Sequence, residues 1–394
     1  MTHRIRLGVA LDGAGWHPAA WREPSARPTE LFDAAYWVDQ AQEAERGLVD
    51  FITIDDSLSL QSSEPFAPDD RTDEVRGRLD AVLVASRIAP LTSRIGIVPV
   101  ATVTHTEPFH VSKAIATLDH VSEGRGGWQP RTSVRRDEAG QFGRRDVGIA
   151  QLEEAAEAVE EFFEEAADVV EVARRLWDSW EEDAEIRDVA TDRFLDPDKL
   201  HRIDFEGRWF SVRGPSITPR PPQGQPVVAP LAHGPVPYRF AASSADLVFT
   251  TPQDAAHAAT VIAEVRDAER AAGREGRPLQ VFADLVVLLD AADESAADRL
   301  ARLDGLGRAL TSDARIVTGS ATHVADEIEA LQKAGFDGVR LRPGVTTDDL
   351  PRIADDLVPE LQRRGVFHYA YEAETLRGLL GLPTDIPNRY AAAV

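Results

Sequence analysis

Several short stretches of this chain carry side chains suited to holding or transforming a small molecule. DGAGWHPAAWR, Asp12 to Arg22, places Trp16, Trp21 and His17 in a Gly-rich loop. Two indoles can wall an apolar pocket, and an imidazole that titrates near neutral pH can pass a proton. Asp55-Asp56 ends an apolar run. Adjacent strand residues point to opposite faces, so one carboxylate can face a site while the other caps a helix. Thr102 to Thr106 (TVTHT) offers hydroxyls, Thr104 among them, to a carbonyl or a ring edge. GRGGWQPRTS, Gly124 to Ser133, lets backbone approach a ligand closely and adds Gln129, Arg131 and Ser133. Ala232-His233-Gly234-Pro235 and Thr250-Thr251 complete the set.

Other chemistries lack their residues. The chain has no cysteine, which excludes thiolate nucleophiles, disulfides and Cys-ligated metals. The histidines are scattered without metal-ligand spacing and HExxH is absent, so no metal is expected. Neither a GxSxG elbow, a GxGxxG nor a P-loop occurs.

The elements that must position these groups alternate. Apolar runs stand at Ile5 to Leu11, Val49 to Asp55, Arg94 to Val103, Gly127 to Val134, Pro226 to Ala232, Asp246 to Thr250, Leu279 to Leu289 and Gly338 to Leu341. Helical patterns at Leu31 to Arg46, Arg76 to Ile88, His110 to Leu118, Asp254 to Ala272 and Thr322 to Ala334 separate most of them. Alternation of this kind implies right-handed βαβ units and a parallel sheet. Eight strands suggest a closed (β/α)₈ barrel of the TIM type, with the site at the C-terminal strand ends; an open doubly wound sheet is the competing reading. Residues 140 to 190 read as a long amphipathic helix with an acidic solvated face. Residues 191 to 225 read as a Pro-rich insertion with a short strand at 208 to 212. The whole of 1–394 is expected to form one barrel domain, with that insertion and a C-terminal tail from about 365 to 394.

At 43% hydrophobic and 28% charged, the composition is that of a soluble globular protein with a large core. The net charge of −24 disfavours nucleic acid as a partner. No apolar run approaches the ~18 residues that span a membrane, and the N-terminus reads as a strand, so a cytoplasmic location is expected.

Taken together, GWHPAAWR (15–22), VDFITIDDSL (49–58), TEPFHVSKAIATLDHVSEGRGGW (106–128), LWDSWEEDA (176–184), FEGRWFSVRGPSITPRPPQGQPVV (205–228) and the segments of 357–383 resemble the luciferase-like flavin-dependent monooxygenases of the nitrilotriacetate, pristinamycin and dibenzothiophene-sulfone monooxygenase group. The resemblance runs in order along nearly the whole chain. It implies a (β/α)₈ barrel with insertions, and reduced FMN (FMNH₂) supplied by a separate flavin reductase. It further implies dioxygen activated as a flavin C4a-(hydro)peroxide, a small organic substrate, and a homodimer or homotetramer. Carried over by position, Asp56 matches an aspartate beside the flavin and Thr104 a residue facing the isoalloxazine. Trp16 and His17 match the loop that approaches the reacting centre. Trp16, Trp21, Phe66 and parts of 191–225 would shape the substrate pocket.

The chain departs from that pattern at the phosphate end of the flavin. Gln129-Pro130-Arg131-Thr132-Ser133 replaces Asn-Val-Val-Thr-Ser, and Gly234 stands where a phosphate-contacting serine is usual. A tyrosine that commonly holds the phosphate has no counterpart near Arg144-Arg145. Arg131, Arg135, Arg136 and His233 are the candidate compensators, since guanidinium forks suit phosphate. Three readings follow: an FMNH₂-dependent monooxygenase with a remodelled phosphate site, a relative using the deazaflavin F420, or a non-catalytic relative that has lost its flavin.

Overall fold

The computed structural model describes residues 4–64, 67–145 and 152–391. Eight parallel strands form the barrel: β1 (Arg6–Leu11), β2 (Phe51–Ile54), β3 (Gly96–Thr102), β4 (Gly127–Arg131), β5 (Val227–Val228), β6 (Leu247–Thr250), β7 (Gln280–Leu289) and β8 (Gly338–Pro343). Their ladder runs β6-β7-β8-β1-β2-β3-β4-β5. A parallel bridge between Leu231 and Phe249 joins its two ends. Phe249 N donates to Pro230 O and Ala232 N to Phe249 O, each at 2.9 Å, so the sheet closes. All eight expected strands are present, and the open-sheet reading is excluded. A ninth strand, Arg315–Gly319, was not foreseen; it pairs only with the Leu285–Leu289 end of β7, which overhangs the barrel.

Helices follow the strands at α1 (Ala34–Arg46), α2 (Ala81–Ile88), α3 (Pro108–Val121), α4 (Arg136–Phe142), α5 (Leu152–Asp178) and α6 (Pro235–Ser244). Local chemistry sets their starts. The Asp80 carboxylate accepts from Leu83 N at 2.9 Å and caps α2. The acidic stretch forms α5, whose Ala166, Val169, Val170 and Ala173 are buried against the barrel. The insertion lies on the outer flank of α5, where Ile203 and Phe205 pack on Val172 and Leu176. Its short strand is Ser211–Val212, paired with Phe205–Glu206.

The barrel interior is layered. At its lower end the rings of Phe51, Phe249 and Phe282 pack with centroids 5.7–6.0 Å apart. Gly8 and Gly338 make room for them: a Cβ at either position would lie 2.4 or 2.2 Å from the Phe51 or Phe282 ring. The C-terminal segment seals this end, with Leu376 and Leu380 buried beside Phe51 and Val98.

Above the aromatic layer the filling turns ionic. Asp284, in the middle of β7, faces Arg340 and Arg342 from β8, and all three are buried. Arg340 donates to Asp284 through Nε at 2.8 Å, reaches Gln129 Oε1 at 2.6 Å, and lies over the Phe249 ring at 3.7 Å. Arg342 donates from Nε to Asp284 at 3.0 Å and from its terminal nitrogen to Asp313 at 2.6 Å. Its guanidinium stacks over Trp16 at 4.5 Å. This layer separates the sealed lower barrel from the open mouth.

Candidate active site

A cavity of about 680 Å³ opens at the C-terminal ends of the strands. That lies in the range of about 300–1,000 Å³ usual for small-molecule and cofactor sites. Strand parity decides what faces it. On β2, Phe51 packs in the barrel interior, so Thr53 and then Asp55 share its face. Asp55 therefore lines the mouth, with Asp12 from the end of β1 and Arg342 from β8. Trp16 and Arg342 contribute one polarised ledge. Leu231, Val159 and Phe163 supply apolar wall, the last two from α5.

Two carboxylates and one guanidinium form the ionic centre of the mouth. Arg78 donates to Asp55 and stands 3.8 Å from Asp12. Burial pushes the Asp12 carboxyl up to about 6; Arg78 opposes that shift and Asp55 adds to it. Burial disfavours the charge on Arg78, but Asp12 and Asp55 outweigh it and hold the guanidinium charged. Arg342 is kept charged in the same way against burial by Asp284 and Asp313. Asp12, its carboxyl raised toward neutral pH, thus stands at the edge of a cavity, a combination that recurs at functional sites.

The residues singled out in the sequence divide into two groups. Trp16, Gln129, Arg131 and His233 line the mouth. Gln129 accepts from Arg340, and Arg131 donates to the main-chain oxygen of Asp56 and stands 3.8 Å from Glu138. His233 Nδ1 lies 3.0 Å from Thr251 Oγ1 and its Nε2 lies 3.5 Å from Asp313; burial lowers its pKa, so the ring favours its neutral form. The others stand behind this surface. Asp56 accepts from Ala81 N at 2.9 Å and Ser57 N at 2.7 Å, and faces a second, more apolar cavity between α2 and α3. Burial pushes its carboxyl up to about 6. Thr104 accepts from Ser133 N at 2.9 Å, tying two loops together, and both residues are buried. Gly234 precedes α6 with extended backbone.

His17 is also placed apart from the cavity. Its Nδ1 accepts from Ala19 N at 3.0 Å, which puts the proton on Nε2, and Nε2 donates to Asp304 at 3.0 Å. Burial lowers its pKa. With both nitrogens engaged, the ring pins the first loop to the helix Ala296–Asp304. His17→Ala is expected to cost about 1–3 kcal/mol of stability, because it orphans these partners. Ligand binding in the mouth should survive; urea unfolding beside a ligand titration checks both.

The pocket-shaping expectation also needs correction. Trp21 donates to Asp73 O at 3.1 Å and does not line the mouth, and residues 191–225 contribute nothing to its wall. Within the insertion, Ile203, Phe205, Phe210 and Val212 pack on the outer face of α5, while Phe194 and Ile217 are exposed. Phe66 lies outside the described residues. Sequence reasoning missed Asp12, Arg78, Asp313 and Arg342. Among the described residues no group of His, Asp and Glu is arranged to hold a metal, and no helix is long and apolar enough to cross a membrane.

The mouth fits the two ends of a flavin unequally. Its volume and its mixed wall of indole, aliphatic and hydrogen-bonding groups suit a planar polar ring. A phosphate dianion finds no such match, because each cation lining the mouth already faces a carboxylate.

Comparison with known proteins agrees with this architecture. N-acetyl-S-(2-succino)cysteine monooxygenase of Bacillus subtilis (strain 168) is 30% identical, with 98% of each chain covered. Nitrilotriacetate monooxygenase component A of Aminobacter aminovorans is 29% identical over 96% of each chain. The structure of EDTA monooxygenase from Chelativorans sp. BNC1 superposes with a TM-score of 0.81 at 23% identity, covering 97% of this chain and 99% of that one. Residues 14–311 match the family described as luciferase-like monooxygenase, and this chain belongs to that family.

Proposed function

We propose that the chain is a flavin-dependent monooxygenase that uses dioxygen to oxygenate a small organic substrate in the barrel mouth. Reduced flavin, as FMNH₂, is delivered by a separate reductase, and the enzyme works in the cytoplasm as a homodimer or homotetramer. The observation that carries this reading is the cavity lined by Trp16, Asp12, Asp55 and Arg342, in a member of this family.

When bound, reduced flavin supplies the electrons that activate dioxygen; the chain supplies position, exclusion of water and proton control. Trp16 and Arg342 would offer the ring a flat face and a charged donor. Leu231, Val159 and Phe163 keep water from one side. Asp12, titrating near 6, holds or takes a proton at its carboxyl oxygen. Two relatives are named for polycarboxylates, nitrilotriacetate and EDTA. The carboxylates of Asp12, Asp55 and Asp313 in the mouth favour a substrate of low negative charge here, partly apolar in character.

The test is an anaerobic titration with reduced FMN, then admission of oxygen with a panel of neutral sulfides, amines and hydrocarbons. Reduced-flavin binding and oxygen-dependent product formation are expected. Hydride transfer with F420 and no oxygen incorporation would move the chain to the deazaflavin reading. Binding of neither cofactor by folded protein would sink both enzyme readings.

A further inference from the structure

The mouth's charge balance bears on how a flavin is gripped, an inference that rests on the flavin reading above. The arginines in or directly behind the cavity wall are Arg78, Arg131, Arg135, Arg340 and Arg342. Each faces acid. Arg78 pairs with Asp55 and Asp12, Arg131 lies 3.8 Å from Glu138, and Arg135 grips Asp137 through two nitrogens at 3.0 and 2.8 Å. Arg340 and Arg342 share Asp284, and Arg342 takes Asp313 as well. Five guanidiniums thus meet six carboxylates, Asp12, Asp55, Asp137, Glu138, Asp284 and Asp313, so the lining has no surplus positive charge.

Neighbouring cations do not change this. Arg145 is bound to Glu165 through two nitrogens, and Arg136 is exposed and does not line the mouth. The undescribed stretches 65–66 and 146–151 contain no Lys or Arg.

Among the described residues, the start of α6 supplies few backbone donors as well. A helix start offers an anion its first free N–H groups and the positive end of its dipole. α6 opens onto this mouth, and its first turn reads Pro235-Val236-Pro237. Pro237 lines the cavity, and neither proline has an N–H to give.

We infer that the mouth holds a flavin by its ring and not by its phosphate, so that riboflavin binds at least as well as FMN. The class of cofactor admitted is the isoalloxazine with an uncharged polyol tail; a phosphorylated tail is tolerated only where solvent can reach it.

Equilibrium titration of the purified protein with riboflavin and FMN, followed by flavin fluorescence, tests this. The expected result is an FMN Kd within about threefold of the riboflavin Kd, or weaker. FMN binding tighter by more than that overturns the inference and leaves the flavin reading standing. Binding of neither flavin overturns the flavin reading and the inference with it. Glu138→Gln removes the acid facing Arg131, and FMN should then gain on riboflavin by about tenfold. Should this variant fold and the ratio stay fixed, Arg131 and Glu138 are not the cause, and the charge-balance argument is overturned. Where Glu138→Gln fails to fold, Pro237→Ala restores one N–H at the mouth and should raise FMN relative to riboflavin; an unchanged ratio overturns the inference that missing donors exclude the phosphate.

Discussion

Asp284→Asn is expected to lower folding stability by about 3–5 kcal/mol, the range for breaking a buried ion pair by removing one partner. The argument is local. Asp284 is fully buried in the middle of β7 and accepts from both Arg340 and Arg342. Replacing its charge leaves two guanidiniums inside the barrel with only Asp313 on the same side, and Asp313 is partly exposed. Arg340 keeps its contacts to Gln129 Oε1 and to the Phe249 face, but neither carries a full negative charge. Urea unfolding measures the loss. A second step separates charge from packing. Adding Arg340→Met to Asp284→Asn should recover part of the stability, since one unpaired charge is then gone and a side chain of similar length fills its volume. A loss below about 1 kcal/mol for Asp284→Asn would mean that water or a rearranged Arg342 solvates the layer, contrary to this account.

That ionic layer also explains what the sequence made legible. β-branched, apolar runs locate all eight barrel strands, including β5, where only Val227–Val228 is regular and Leu231 completes the closure. The strand Arg315–Gly319 escaped because RIVTG is short and is held only by the overhanging end of β7. Asp284 lies inside a stretch whose pattern is otherwise apolar, and the apolar run of the last strand ends at Leu341, one residue short of Arg342. The signal was present. An aspartate inside a wholly apolar strand must be paired, and Arg340 and Arg342, two apart on one strand, face the same side. The choice between Asp55 and Asp56 was likewise open to parity. Phe51 in the barrel interior implies Asp55 toward the mouth, whereas the resemblance drew attention to Asp56, which caps the start of the α2 region. His17 could not be assigned from sequence at all, because its partner Asp304 lies far along the chain.

Asp12→Asn is expected to divide function from stability in opposite directions, and pH decides the size of each. Burial holds the folded carboxyl near 6, against 3.8 for a freely solvated aspartate, so the folded chain binds the proton more tightly than the unfolded chain does. Stability from this group is therefore full below about pH 4 and is lost as pH rises through 6. Asparagine removes that loss. The variant should match wild type near pH 4 and exceed it above pH 6, by up to about 3 kcal/mol. Arg78→Met should move the titration further up, because Arg78 is the group that lowers the Asp12 pKa most. In turnover the sign reverses. If Asp12 exchanges the proton at the reacting centre, wild type shows a pH limb near 6, and Asp12→Asn loses that limb together with about 10²-fold or more in rate. Unfolding curves at pH 4 and 8 read the first half and a pH–rate profile reads the second. A stabilised variant with full activity and an unchanged pH limb would remove Asp12 from the chemistry and leave it as a partner of Arg78.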